Sequence, residues 1–191
     1  MNILSKLIIA VFALFLISCE NPFNPSANNN KPSIVYEPNT TPEQLLQNLS
    51  DAYQQKDIKL YEYCLAKDFK FQLIATEVNE IGIDLDNDGL PDSEWFFQQE
   101  IEYHRNLFQN GSSDGQYPPP DQINLRFTGL QIEKDTQEGH EAWLILSTYF
   151  HLDLIFNQGT NLNALGYARF YIKPVADEWK IAIWRDESNV Y

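Results

Sequence analysis

Apolar and polar positions alternate in two different rhythms along this chain, helical in the first half and strand-like in the second. Leu45, Leu46, Leu49, Ala52 and Tyr53 recur at helical spacing and mark one buried helix face. That helix starts near Thr41. Thr41-Pro42-Glu43-Gln44 supplies an N-cap, a proline at the first helical position and a glutamine at the capping-box position. After Gln55-Lys56-Asp57 a second, short helix covers Ile58–Cys64, and Asp68–Ile74 alternates as a strand. Residues 79–92 read as a polar loop. A third helix is expected over Ser93–Gln109, capped by Asp92 or Ser93, with Trp95, Phe96, Ile101, Leu107 and Phe108 as its apolar positions. Beyond a loop over 110–121, four runs alternate as strands: Ile123–Glu133, Glu141–Phe156, Ala164–Lys173 and Trp179–Arg185. Turn signals at Glu138-Gly139, Gln158-Gly159 and Pro174–Asp177 separate them. Helices followed by long consecutive strands predict an α+β domain with a curved antiparallel sheet packed against the N-terminal helices.

The first nineteen residues follow another pattern. Met1–Lys6 is a short basic start, and Leu7–Ile17 is an apolar run too short to span a bilayer as a mature helix. This is the layout of a secretory signal peptide. Its last four residues, Leu16-Ile17-Ser18-Cys19, resemble the lipobox of bacterial lipoproteins. The resemblance implies cleavage after residue 18, acylation of Cys19 and anchoring to a bilayer by several acyl chains, where one chain gives only marginal binding. Glu20 follows Cys19 where an aspartate would imply another address, so the same analogy implies the outer membrane of a bacterial cell envelope. The competing reading is an ordinary cleaved signal with an incidental cysteine. Residues 19–39, rich in Asn and Pro, read as a flexible tether, and residues 40–191 as one folded domain.

Charge narrows the partners. Without residues 1–18 the chain has 12 cationic side chains against 27 acidic ones, a net charge of −15. Such a domain repels phosphate backbones, which argues against nucleic acid as a partner, and it offers no broad basic surface to anionic lipid. With Cys19 acylated, Cys64 is a lone thiol, expected to be buried and structural.

The run Leu45–Asp57, then Tyr61, then Asp68-Phe69-Lys70-Phe71, resembles the NTF2-like (SnoaL/ketosteroid-isomerase) superfamily. In that superfamily a helix ending Ala-Tyr-x-x-x-Asp precedes a short helix, and an Asp-Phe leads into the first strand. Glu178–Arg185 resembles its closing strand. The resemblance implies a cone of curved sheet with helices closing one side and an apolar pocket between them. It also implies that dimers through the sheet are an available state. It does not fix function, because this superfold carries enzymes and binding modules alike.

Three sets of residues are candidates for chemistry. Asp84, Asp86, Asp88 and Asp92 alternate around Gly89 as in the first half of an EF-hand loop, and resemble thrombospondin- and dockerin-type calcium loops. The bidentate glutamate expected at the twelfth position is replaced by Trp95, so Glu94, Glu80 or water would complete a weak structural Ca²⁺ site, with Kd about 10⁻⁴–10⁻³ M. The competing reading is a solvated acidic turn. His151 and Asp153 share one face of a predicted strand, as a general base and its orienting partner would, or as two exposed polar residues. His104 is expected at an exposed position of the third helix. The aromatic set Trp143, Tyr149, Phe150, Tyr167, Phe170, Tyr171 and Trp184 would line a pocket or fill a core. No phosphate-binding glycine loop, nucleophile elbow or zinc signature is present.

These readings lead to a lipid-anchored, non-catalytic module that binds a small apolar ligand or an envelope protein. The alternative is an isomerase or dehydratase using a pocket histidine and a carboxylate.

Overall fold

The computed structural model describes residues 36–75, 78, 83–85, 88–112, 115, 117–157, 159 and 161–187. Residues 1–18, read above as a signal peptide, and Cys19, Glu80 and Asp86 lie outside them.

Helix α1, Pro42–Gln55, begins as the sequence predicts. The Thr41 hydroxyl accepts the Gln44 N–H at 3.1 Å, and Pro42 occupies a position whose N–H no helix uses. It stops at Lys56, which turns into the left-handed region at φ 51° and returns its N–H to the last turn. Leu45, Leu46, Leu49, Ala52 and Tyr53 form its buried stripe. Helix α2, Ile58–Cys64, is capped by Asp57, whose carboxylate accepts the N–H groups of Lys59 and Leu60.

The chain then enters strand β1, Leu65–Gln72. The expected long third helix is shorter. Glu94–Phe96 forms strand β2, antiparallel to β1, and helix α3 covers only Phe97–Arg105. The reason is packing: in strand form the Trp95 ring stacks on Phe71 at 4.2 Å, with the planes 5° apart. Asp92 therefore does not cap the helix, and its carboxylate instead accepts the Leu85 N–H at 2.7 Å. A π-helical turn, Asn106–Asn110, extends α3 and ends at Gly111, whose φ of 84° favours glycine.

Strands β3 (Gln122–Lys134), β4 (Leu144–Ile155), β5 (Leu162–Val175) and β6 (Glu178–Asp186) form an antiparallel meander. The sheet order is β2-β1-β6-β5-β4-β3. Among the described residues only the β1–β6 pair is parallel, because the first long strand lies beside the last and what lies between them serves as the crossover. Register shifts at Thr128/Gln131 and at Tyr171/Ile172 curve the sheet. The helices pack on its inner face, where Phe69, Ile123, Leu146, Phe170, Ile172 and Ile181 are fully buried.

Candidate functional site

The interior of the cone holds a cluster of polar side chains among aromatic rings. Glu100 on α3 is 1% exposed. Its Oε1 accepts the Tyr61 hydroxyl, and its Oε2 accepts the Trp95 indole N–H at 2.5 Å. His104, one turn along, is 13% exposed, which corrects the expectation of a solvated position. Its ring lies flat on Tyr61 with centroids 3.9 Å apart. Nδ1 stands 3.1 Å from the Glu100 carbonyl oxygen and 3.3 Å from the Glu100 carboxylate, while Nε2 meets the Tyr53 hydroxyl at 2.6 Å. Both neighbours of Nδ1 are acceptors, so Nδ1 carries the proton and the Tyr53 hydroxyl donates to Nε2.

Burial pulls the His104 pKa below its ordinary 6.5, against the opposing pull of the Glu100 charge. Burial first, and Glu100 second, hold Tyr53 and Tyr61 well above the usual tyrosine range. Chemically, this cluster is self-contained. The carboxylate already serves two strong donors, and both nitrogens of the histidine are engaged. The signal for this placement is present in the sequence: Phe97, Ile101, His104 and Phe108 are spaced as one helical stripe, with Glu100 beside it.

His151 and Asp153 face the other way. Inner positions of β4 and β5 carry Phe150 and Phe170, so the intervening residues Tyr149, His151, Asp153, Tyr167 and Tyr171 project from the outer face of the sheet. There Arg126 of β3 reaches across. One of its Nη atoms is 3.1 Å from Asp153 and 3.2 Å from His151 Nδ1, and His151 Nε2 is 2.8 Å from Asp153. Nδ1 must accept from the guanidinium, so Nε2–H donates to the carboxylate. The pair does come together as its spacing suggests, but on an exposed surface rather than in the cone. It borders a groove of about 540 Å³ that Thr128, Tyr149, Leu165 and Gly166 also line. The pleat divides the aromatic set in the same way: Phe150, Phe170 and Trp184 turn inward, and Tyr149, Tyr167 and Tyr171 outward. Trp143 stacks on His140 at 3.8 Å.

A second groove, about 260 Å³ and almost wholly apolar, lies at the rim between the π-helical turn and the ends of β4 and β5. Leu107, Tyr117, Pro118, Leu154, Phe156 and Leu162 are among its walls.

In the acidic loop the two oxygens of Asp84 accept the N–H groups of Asp88 and Gly89, at 3.2 and 3.0 Å, and Asp88 accepts from Leu90 at 2.8 Å. Gly89 stands at φ 86°, which allows the tight curl. With Asp86 outside the described residues, no group of three or more His, Cys, Asp or Glu among them is placed to hold a metal ion. Cys64 is fully buried at the end of α2, and burial pushes its thiol up to about 12, well away from thiolate reactivity.

No family profile matches the chain, and no curated protein matches it. Solved structures share its fold. A candidate aromatic ring hydroxylase from Novosphingobium aromaticivorans superposes with a TM-score of 0.55 at 14% identity, over 78% of this chain and 87% of that one. ActVI-ORFA from Streptomyces coelicolor does so at 0.52 and 9% identity, over 78% and 95%. An NTF2-like protein with a cystatin-like fold from N. aromaticivorans gives 0.48 at 8% identity, over 77% and 79%. At such identities the likeness carries architecture and no activity. The chain shares the fold of the first two, an α+β cone of curved six-stranded sheet closed on one side by helices, which is the architecture that the resemblance to the NTF2-like superfamily implies.

Proposed function

We propose that this chain is a lipid-anchored, non-catalytic module of a bacterial cell envelope, held at the outer membrane through Cys19, and that it docks a protein partner on the outer face of its sheet. The observation that carries this reading is the division of polar groups between the two faces. Inside the cone, Glu100, His104, Tyr53 and Tyr61 satisfy one another between packed rings. Outside, Tyr149 and Leu165 are 47% and 69% exposed beside Arg126. Tyrosine and arginine around an apolar centre are the residue types that dominate binding at protein interfaces.

The test places a photo-crosslinking amino acid at Tyr149, or at Phe108 in the interior, in the full chain in cells. A protein adduct at position 149 and none at 108 is expected. An adduct with a small molecule at 108, or none at 149, overturns the reading in favour of a pocket ligand or an isomerase- or dehydratase-type enzyme. A self-adduct at 149 identifies the partner as a second copy.

The acidic loop belongs to the same proposal as a structural Ca²⁺ site at the rim. The curl around Asp84 and the four spaced carboxylates support it. At calcium tenfold above Kd, binding to the folded state alone adds about 1.4 kcal/mol, a rise of a few degrees in Tm for a domain of this size. The paired change Asp84→Ala with Asp88→Ala is expected to abolish that rise. An unresponsive wild type would mean that the loop is closed by its own amides alone.

A further inference from the structure

We propose that the first half of β5, Leu162–Gly166, is a strand-addition site for an extended segment of the partner protein. The inference rests on the partner-docking reading and names how the partner is held. Strand β6 pairs with β5 only from Ala168 to Val175, and the Glu187 N–H to the Tyr167 carbonyl, 2.8 Å, takes the ladder one residue further. Beyond that point β5 is paired with β4 on one side, Leu162 with Leu154 through Gly166 with Phe150, and with nothing on the other among the described residues. The Tyr167 carbonyl points to the open side. Backbone direction alternates along an antiparallel strand, so Leu165 and Asn163 present their N–H and C=O groups to that side as well.

The other sheet edges are guarded. The outer edge of β3 carries Glu133, Lys134 and an irregularity after Thr128, and β2 is three residues long. Leu162-Asn163-Ala164-Leu165-Gly166 has no charge, proline or bulge, and residues 162–165 are exposed. An unguarded edge of this kind is a template for another strand.

What sets this edge apart is a groove on each face of it. On the inner face Leu162 borders the apolar rim groove, and on the outer face Leu165 and Gly166 border the groove of Arg126 and Tyr149. A strand laid along the edge sends alternate side chains to the two faces. Backbone bonds then supply affinity and the two grooves supply selectivity. The inner groove selects aliphatic residues. The outer one selects a carboxylate, because Arg126 has a side chain 61% exposed and commits one Nη to His151 and Asp153, leaving its other donors for a second acid.

The probe is the peptide acetyl-Val-Glu-Val-Glu-Val-Glu-Val-amide, with its N-methylated counterpart and a Val/Lys version as controls. The full chain is held in detergent micelles and read by hydrogen–deuterium exchange. We expect the N–H groups of Asn163 and Leu165 to exchange fast in the free chain and about tenfold more slowly with millimolar Val/Glu peptide. The N-methylated peptide should give no protection, and the Val/Lys peptide less. Leu165→Pro removes an edge N–H that the β4 ladder does not use and should abolish protection, whereas Leu165→Ala, which keeps that N–H, should retain it. Equal protection by the N-methylated peptide, or none by any peptide, overturns strand addition. If position 149 still crosslinks a partner, only strand addition falls; if it does not, both readings fall. Protection already present in the free chain and lost on deleting residues 188–191 also overturns the proposal, since the chain's own end would then be the occupant.

Discussion

Glu100→Ala is expected to cost about 4 kcal/mol of folding stability, from two stranded buried donors and the void left behind. The change strands the Tyr61 hydroxyl and the Trp95 indole N–H without an acceptor, and each buried unsatisfied donor costs about 1–3 kcal/mol. It also leaves a void between α3 and the first strands. Against a typical domain stability of about 5–15 kcal/mol, that is enough to populate the unfolded chain under mild conditions. Urea titration measures it as a lowered midpoint. Glu100→Gln should be milder, about half as costly, because the Tyr61 hydroxyl can turn to accept from the new amide while the remaining oxygen serves Trp95. A cost below about 1 kcal/mol for the alanine variant would mean that the cone is not plugged by this cluster. His104 adds a pH dependence of defined sign. Its folded pKa lies below the unfolded 6.5, so its contribution is intact above pH 6.5 and is lost as pH falls from there through the depressed folded value. His104→Gln should flatten that limb of the stability–pH curve.

Periodicity made the fold legible wherever one physical cause dominated. The cap at Thr41 and Pro42 and the stripe Leu45–Tyr53 are local, and they appear as read. The four C-terminal strands are long enough for alternation to fix both their existence and their faces. The reading failed at Glu94–Phe96, where strand pairing and the stacking of Trp95 on Phe71 outweigh a helical pattern. Residue 71 and residue 95 are remote in sequence, and no local rule reports their contact. It also failed at His104, where residue type suggested solvent. The spacing from Phe97 to Phe108 put that residue on the apolar face, and the three groups that make burial tolerable, Glu100, Tyr53 and Tyr61, come from three different helices. For His151 and Asp153 the shared face was legible. Which side of the sheet it was depended on where the helices pack, and that is a tertiary fact.

The largest cellular effect is expected from Cys19→Ser. In the proposed anchor the Cys19 thiol is the nucleophile that takes the lipid, and each buried CH₂ contributes about 0.8 kcal/mol to membrane affinity. Two or more chains therefore hold a protein stably where a single one exchanges. Nothing in the charge pattern replaces them: the chain without residues 1–18 carries −15, which anionic headgroups repel. Wild-type protein should enter the detergent phase of a cloud-point extraction, with an intact mass that lacks residues 1–18 and carries acyl groups. Cys19→Ser protein should lose the acyl mass entirely. It should then be found either in the aqueous phase as a cleaved chain or at full precursor length, still held by Leu7–Ile17. An unmodified Cys19 on wild-type protein in the aqueous phase would show an ordinary secretory signal and remove the anchor from the proposed function. Glu20→Asp separates the anchor from the address. It should leave acylation unchanged while moving the protein between membranes, so that lipidation and outer-membrane placement stand or fall on different measurements.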